Sequence, residues 1–228
     1  MKKGPDYYKE LLQVSYENDK SIRGIIRFSG LSEFFNHFVS DRVKEIRVKR
    51  SKTFFDQLQN YKIELTQEII ESEDFLHKFI ISYKAAINSR QREKIRMFAR
   101  IFNSSLEKNK IKEVNIFEDY LQILDELSYR EIQTLIIYDS FFSIPRKQSE
   151  NDLKHIDKIW LDFEKLASKE LNIPEEEVND YMQKISRTGC YNMFQGNFHW
   201  VDTGAKGFLT PTFDNLKAFA LDEGEETI

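Results

Sequence analysis

Between Leu31 and Ile144 the chain contains neither proline nor glycine, which leaves it few ways to change direction except in short breaks between helices. Within that stretch, residues 72–106 repeat apolar side chains at spacings of three and four. Phe75, Leu76, Phe79, Ile80, Tyr83, Ala86 and Ile87 make one face of a 3.6-residue period. Ser72 stands at the N-cap position, and Glu73 and Asp74 fill a first turn where acids complement the helix dipole. Asn88 and Ser89 interrupt the pattern. A second helix then turns Ile95, Phe98, Ala99, Phe102 and Leu106 inward, and its opposite face shows Arg90, Arg92, Lys94, Arg96 and Arg100. Two amphipathic helices joined by a short polar break predict an antiparallel hairpin. A hairpin cannot bury both stripes alone, so the flanking segments must cover it.

Upstream, Pro5 suits the first turn of a helix that carries Tyr7, Tyr8, Leu11, Leu12 and Tyr16 on one face. Ser32 opens a longer pattern through Phe34, Phe35, Phe38, Val39, Val43 and Ile46, then Phe54, Phe55, Leu58, Tyr61, Leu65 and Ile69. The spacing fits one helix of about 35 residues or two helices broken near Ser51, and does not decide between them. Downstream, Ile116, Phe117, Tyr120, Leu121, Leu124 and Leu127 follow helical spacing, and Ser128 to Glu131 reads as a capping box for the next helix. That helix must stop before Ile144 and Pro145. Leu153, Ile156, Ile159, Trp160, Phe163, Leu166 and Ala167 mark another, and Pro174 with Glu175, Glu176 and Glu177 opens one that Gly189 would close. From Cys190 to Leu209 aromatics alternate between glycines, and two short strands are expected around Gly196 to Gly207. Thr210 and Pro211 then start a last helix through Ala220, and the acidic residues 222–228 are expected to be disordered.

The formal charge of −4 conceals a division. Residues 1–40 carry 6 basic and 5 acidic side chains, residues 41–112 carry 17 and 10, and residues 113–228 carry 11 and 23. The halves can pair with each other, within or between chains, or meet different partners. A single cysteine, Cys190, excludes an internal disulfide framework. No signal-peptide pattern opens the chain and no run approaches the ~20 apolar residues that span a bilayer, so a cytoplasmic location is expected.

Little in the sequence points to catalysis. The four histidines, His37, His77, His155 and His199, form no metal-ligand spacing with each other or with Cys190. A Cys190–His199 pair would be needed for nucleophilic chemistry, and His199 beside Trp200 and Asp202 is the histidine to watch. Phosphate-cradling glycine motifs and a nucleophile elbow are missing. No cofactor and no metal are expected. The sharpest charged feature is the run 42–52, with six positive side chains against one negative. Arg42, Lys44, Arg47, Lys49, Arg50 and Lys52 could bind phosphates of nucleic acid or an anionic membrane, and Arg92, Arg96 and Arg100 could extend that surface if both project the same way. The alternative is a solvated helix face paired with acids of the second half. The aromatics of the long helix, Phe34, Phe35, Phe38, Phe54 and Phe55, are expected in the core or in an interface with a second copy.

Two resemblances bear on function. The order helix, helix, short hairpin ending in Gly207-Phe-Leu-Thr-Pro211, helix resembles a bacterial winged-helix module over roughly residues 121–220. Where such modules bind DNA, the helix before the wing enters the major groove. Here that helix would carry Glu175, Glu176, Glu177 and Asp180 against Lys184 and Arg187, a balance that opposes phosphate binding. Glu71-Ser-Glu-Asp-Phe75, the pattern R-x-x-E-K-x-R-x-F-A-x-I from Arg90 to Ile101, Leu124-Asp-Glu-Leu-Ser128 and the wing-like end together resemble uncharacterised bacterial helical proteins similar to the abortive-infection alpha type. That resemblance implies an association with phage resistance and carries no catalytic residue.

The expectation is therefore an all-α chain. Residues 1–145 form a helical bundle with a long helix and the antiparallel hairpin. Residues 146–221, with first helices starting as early as 116, form a winged-helix-like module with a small β-hairpin. The expected role is a non-catalytic interaction or regulatory protein that binds a protein partner or itself as a homo-oligomer. The alternative is a nucleic-acid-binding regulator that uses the basic 42–52 helix.

Overall fold

Ser72 caps its helix as the sequence requires: its hydroxyl accepts from the Phe75 amide at 3.3 Å. The computed structural model describes residues 33–60, 66–107, 111, 113–142, 152–194 and 204–221, with side chains from 41 and from 156 in the first and fourth of the long segments. Helices α1 (Glu33–Gln59), α2 (Gln67–Glu71), α3 (Glu73–Asn88), α4 (Arg92–Ser104), α5 (Val114–Glu126), α6 (Tyr129–Phe142), α7 (Asp152–Leu171) and α8 (Glu175–Ser186) precede strands β1 (Tyr191–Met193) and β2 (Gly207–Leu209). Helix α9 (Pro211–Leu216) then runs into a π-helical turn at Lys217–Leu221. The fold is all-α with a small C-terminal hairpin.

The chain divides into two compact units, Met1–Lys49 and Arg50–Ile228. The expected division at 146 falls inside the second unit, because α7 packs on α6 across it. Of the two readings of the long helix, the structure takes the unbroken one: α1 runs through Ser51 to Gln59. The strands flank the expected span, β1 lying before Gly196 at Tyr191–Met193 and β2 starting at its end as Gly207–Leu209, where Tyr191 pairs with Leu209 and Met193 with Gly207 in antiparallel register. The first helix, the 145–151 link and the acidic tail lie outside the described residues.

The hairpin of α3 and α4 is the centre of the second unit. Phe75 and Phe79 both meet the Phe102 ring, at 5.6 and 5.7 Å between centroids, which sets the helices antiparallel. On the other flank of α3, Phe54 is fully buried against Phe79 and Tyr83. Phe54 is thus a core residue and Phe55 is half-buried beside Phe79, while the side chains of Phe34, Phe35 and Phe38 lie outside the described set. The capping box closes in both directions: Ser128 Oγ accepts from the Glu131 amide at 3.2 Å, and Glu131 Oε2 from the Ser128 amide at 2.7 Å.

A second core gathers around Tyr138, whose ring meets Trp160, Phe163 and Tyr191 at 5.8, 4.7 and 5.5 Å. The hydroxyl of Tyr138, on α6, donates to the Gly207 carbonyl at 2.7 Å and so holds the β-hairpin onto the helices, while that of Tyr191, on β1, donates to the Ala205 carbonyl at 2.8 Å within the hairpin segment. Arg187 rather than the expected Gly189 caps α8, and Gly189, at φ 74°, turns the chain two residues later. The last turn returns to the central hairpin: Ser104 Oγ donates to Phe219 O at 2.9 Å and Arg100 to Leu221 O at 3.3 Å.

Candidate anion-binding surface

An α-helix turns 100° per residue, so a run of cations cannot all point one way. In α1 the half-buried or buried positions are Val43, Arg47, Arg50, Ser51, Thr53, Phe54, Phe55, Gln57 and Leu58, among which Val43, Arg47, Arg50, Phe54 and Leu58 recur at three and four along one face. Two of the six candidate cations, Arg47 and Arg50, are therefore on that face. Arg50 donates to the carbonyl of Ile87 at 2.8 Å, satisfying an orphan acceptor at the end of α3. Next to it, the hydroxyls of Ser51 and Tyr83 are 2.8 Å apart.

Arg42, Lys44, Lys49 and Lys52 remain exposed. The first three are shared with acids of their own helix. Glu45 accepts from Arg42 and, at 2.7 Å, from Lys49, and Lys44 lies 3.7 Å from Asp41. The hydrogen bonds from Lys49 and Arg42 hold the Glu45 carboxyl below its ordinary pKa. Exposed apolar groups interrupt the same stretch, with Val48 at 67% exposure.

The three arginines of α4 do not form a continuation. Arg92 is exposed, Arg96 is half-buried and bonded to Glu93 at 2.7 Å, and Arg100 is buried at 7% exposure, bonded to Leu221 O. Lys94, expected on the same outer face, is buried as well. Its ammonium donates to the carbonyls of Asp125 and Leu127, both at 2.7 Å, at the C-terminal end of α5. Burial pulls its pKa down, while Asp125 and Glu131 oppose the shift. The outer face expected for α4 fails because α5 and the Lys217–Leu221 turn cover it.

What the structure does bring together is the tail of α1 and the α3–α4 turn. Arg50 reaches Ile87, so Lys52 lies at the end of the hairpin that carries Lys84, Arg90 and Arg92. Lys84 carried no signal in the sequence, since its place here depends on α1 packing against α3. The opposite charge gathers at the start of α8, where Glu175, Glu176, Glu177 and Asp180 are all exposed. None of these four carboxylates makes an ion pair or hydrogen bond, and Pro174 caps the helix without a side-chain bond.

The remaining candidates for chemistry are bound up in structure. His77 meets Glu118 at 2.6 Å on the exposed flank of α3 and α5. Cys190 is fully buried, and burial pushes its thiol pKa up, away from the thiolate a nucleophile needs. His199 and the side chains of His37 and His155 lie outside the described residues. Among the described residues no group of three or more His, Cys, Asp or Glu side chains could hold a metal ion. No described helix is long and apolar enough to cross a membrane. Comparison of the chain with protein-family models, with curated proteins and with solved structures finds no match.

Proposed function

We propose that this protein is a non-catalytic interaction or regulatory protein that binds through charged surfaces to a protein partner, most simply a second copy of itself. The observation that carries this reading is the set of four exposed, unpaired carboxylates at the start of α8. They stand on the helix before the β-hairpin, the position a winged-helix-like module presents to its target, and there they repel phosphate and attract a basic protein surface. A second copy offers such a surface within residues 41–112, where 17 basic side chains stand against 10 acidic ones. The resemblance to the abortive-infection alpha type supports a place in phage defence. Light scattering tests the reading. At low salt the mass should exceed the 27.2 kDa of one chain, and it should fall toward that value near 1 M salt, where the Debye length is ~3 Å. The triple variant Glu175→Lys, Glu176→Lys, Glu177→Lys should stay monomeric throughout. A wild-type mass of one chain at low salt would end the self-association reading.

A second reading, nucleic-acid binding, is favoured by a different observation: Lys52, Lys84, Arg90 and Arg92 are exposed and none is paired with an acid. Salt-sensitive binding of random duplex DNA in fluorescence anisotropy would support it.

A further inference from the structure

Two hydrogen bonds fix where the tail of the long helix lies. Arg50 reaches the Ile87 carbonyl and Ser51 the Tyr83 hydroxyl, so the end of α1 runs antiparallel to α3, with Phe54 seated against Phe79 and Tyr83. Lys52 is thereby carried to the end of the hairpin where α3 gives way to α4. Lys84 stands one turn before the end of α3, Arg90 lies in the connecting turn, and Arg92 is the first residue of α4. Three helices and the turn between two of them thus deliver four exposed cations to one end of the hairpin. The nearby acids do not neutralise them: Glu93 bonds to Arg96, and Asp56, one turn along α1 from Lys52, makes no ion pair.

We propose that this end of the hairpin binds the phosphodiester backbone of nucleic acid through Lys52, Lys84, Arg90 and Arg92. The proposal rests on the nucleic-acid reading above and moves its site from the exposed face of α1 to the α3–α4 turn. The reason is competition. Arg42 and Lys49 would have to leave Glu45, and Lys44 would have to leave Asp41, before meeting a phosphate. The four hairpin cations have no such bond to break, so each phosphate they neutralise releases counterions at no cost in ion pairs. Nucleic acid is favoured over an anionic membrane because interfacial docking needs apolar side chains beside the cations. Between 81 and 96 no large apolar side chain is exposed, and Ile80, 44% exposed one turn before Lys84, is a single side chain rather than an apolar face.

The test uses the full chain, fluorescein-labelled random duplex DNA, an RNA duplex of the same sequence, and vesicles containing phosphatidylserine. Wild type should bind a duplex with affinity that falls with salt at a log–log slope of about −3.6, as four phosphate contacts require. The variant Lys52→Gln, Lys84→Gln, Arg90→Gln, Arg92→Gln should lose about tenfold or more in affinity and most of that slope. Its circular dichroism melt should match wild type, since all four side chains are exposed. The control Arg42→Gln, Lys44→Gln, Lys49→Gln should lose far less. If wild type binds neither duplex at low salt, the nucleic-acid reading falls and takes the proposal with it. If the control variant is the one that loses binding, that reading stands and the hairpin site is wrong. If the hairpin variant loses vesicle binding but keeps duplex binding, the ligand is a lipid surface and the proposal is overturned.

Discussion

The guanidinium of Arg187 holds both carboxylate oxygens of Glu131, at 2.8 and 3.3 Å, and joins the end of α8 to the start of α6. Arg187 also donates to the Glu126 carbonyl at 3.1 Å, so one side chain ties together three helix ends. Glu131 is the buried partner and Arg187 the more exposed one.

This pair makes stability depend on acid. Burial pushes the Glu131 carboxyl up, but the bonds from Arg187 and Ser128 outweigh it and leave its pKa below the ordinary glutamate value. A carboxylate depressed in the folded state contributes stability that is fully present above the unfolded pKa and is lost as pH falls through the folded one. Glu131→Gln should therefore be less stable than wild type at pH 7, by about 1–3 kcal/mol given the half-exposed arginine. The deficit should shrink below pH 4.5, where the wild-type carboxyl itself begins to protonate. Urea titrations of both proteins across that range would show it, and a deficit independent of pH would count against the ionised pair.

The two buried lysines of the hairpin should respond in opposite ways to the same substitution. Lys78 is 5% exposed, its ammonium sits 5.7 Å from the centre of the Phe117 ring, and no hydrogen bond reaches it. Burial lowers its pKa, which marks a charge held at a cost. Lys78→Met should be neutral or stabilising. Lys94→Met should destabilise by about 2 kcal/mol or more, because the carbonyls of Asp125 and Leu127 lose their donor inside the protein. For both lysines the folded pKa is below 10.5, so the unfolded chain holds more protons between the two values and stability rises with pH there. Methionine should abolish that rise. Thermal melts from pH 7 to 10 would compare all three proteins.

Two glycines of the C-terminal part distinguish strain from collision. At Gly189 an added Cβ meets nothing within 4 Å, and only the φ of +74° resists a side chain, so Gly189→Ala should cost about 1–2 kcal/mol. At Gly207 an added Cβ would lie 2.0 Å from the Asn192 carbonyl oxygen, across the strand pair. Gly207→Ala must push β1 and β2 apart and release the Tyr138 hydroxyl from the Gly207 carbonyl, and should cost more than its counterpart. Equal losses in denaturant unfolding would show that the strands shift to accommodate the methyl group.

The helical order of this chain was legible because its signals are local. Ser72, the Ser128–Glu131 box, and Thr210 with Pro211 each act within four residues, and each is found in its predicted role, while Gly189 takes its left-handed turn two residues beyond the cap, which is Arg187. Pro174 differs by one position, standing before the first turn of α8 rather than in it. The faces of α4 were less legible. A helix covered on two sides by α3 and α5, and on a third by the Lys217–Leu221 turn, buries Lys94 and Arg100 that periodicity assigned to water. Their long stems fill the core while their charged ends find carbonyls, and nothing in the spacing of α4 announces those distant acceptors. The surface around the α3–α4 turn was hidden for the same reason, since Lys52 and Lys84 share no motif.

The bonds from Ser104 to Phe219 and from Arg100 to Leu221 have a consequence for how the protein is made. Ser104 and Phe219 are separated by 115 residues, so the third side of α4 stays open until the chain has been synthesised past 221. At ordinary elongation rates of ~5–20 residues per second, that is an interval of several seconds or more. During it the nascent chain exposes a helix that is apolar and cationic, beside a ribosome whose RNA presents a dense array of phosphates. Folding of the Arg50–Ile228 unit is then completed from its far end, and late synthesis, rather than early collapse, sets when α4 is shielded from other chains.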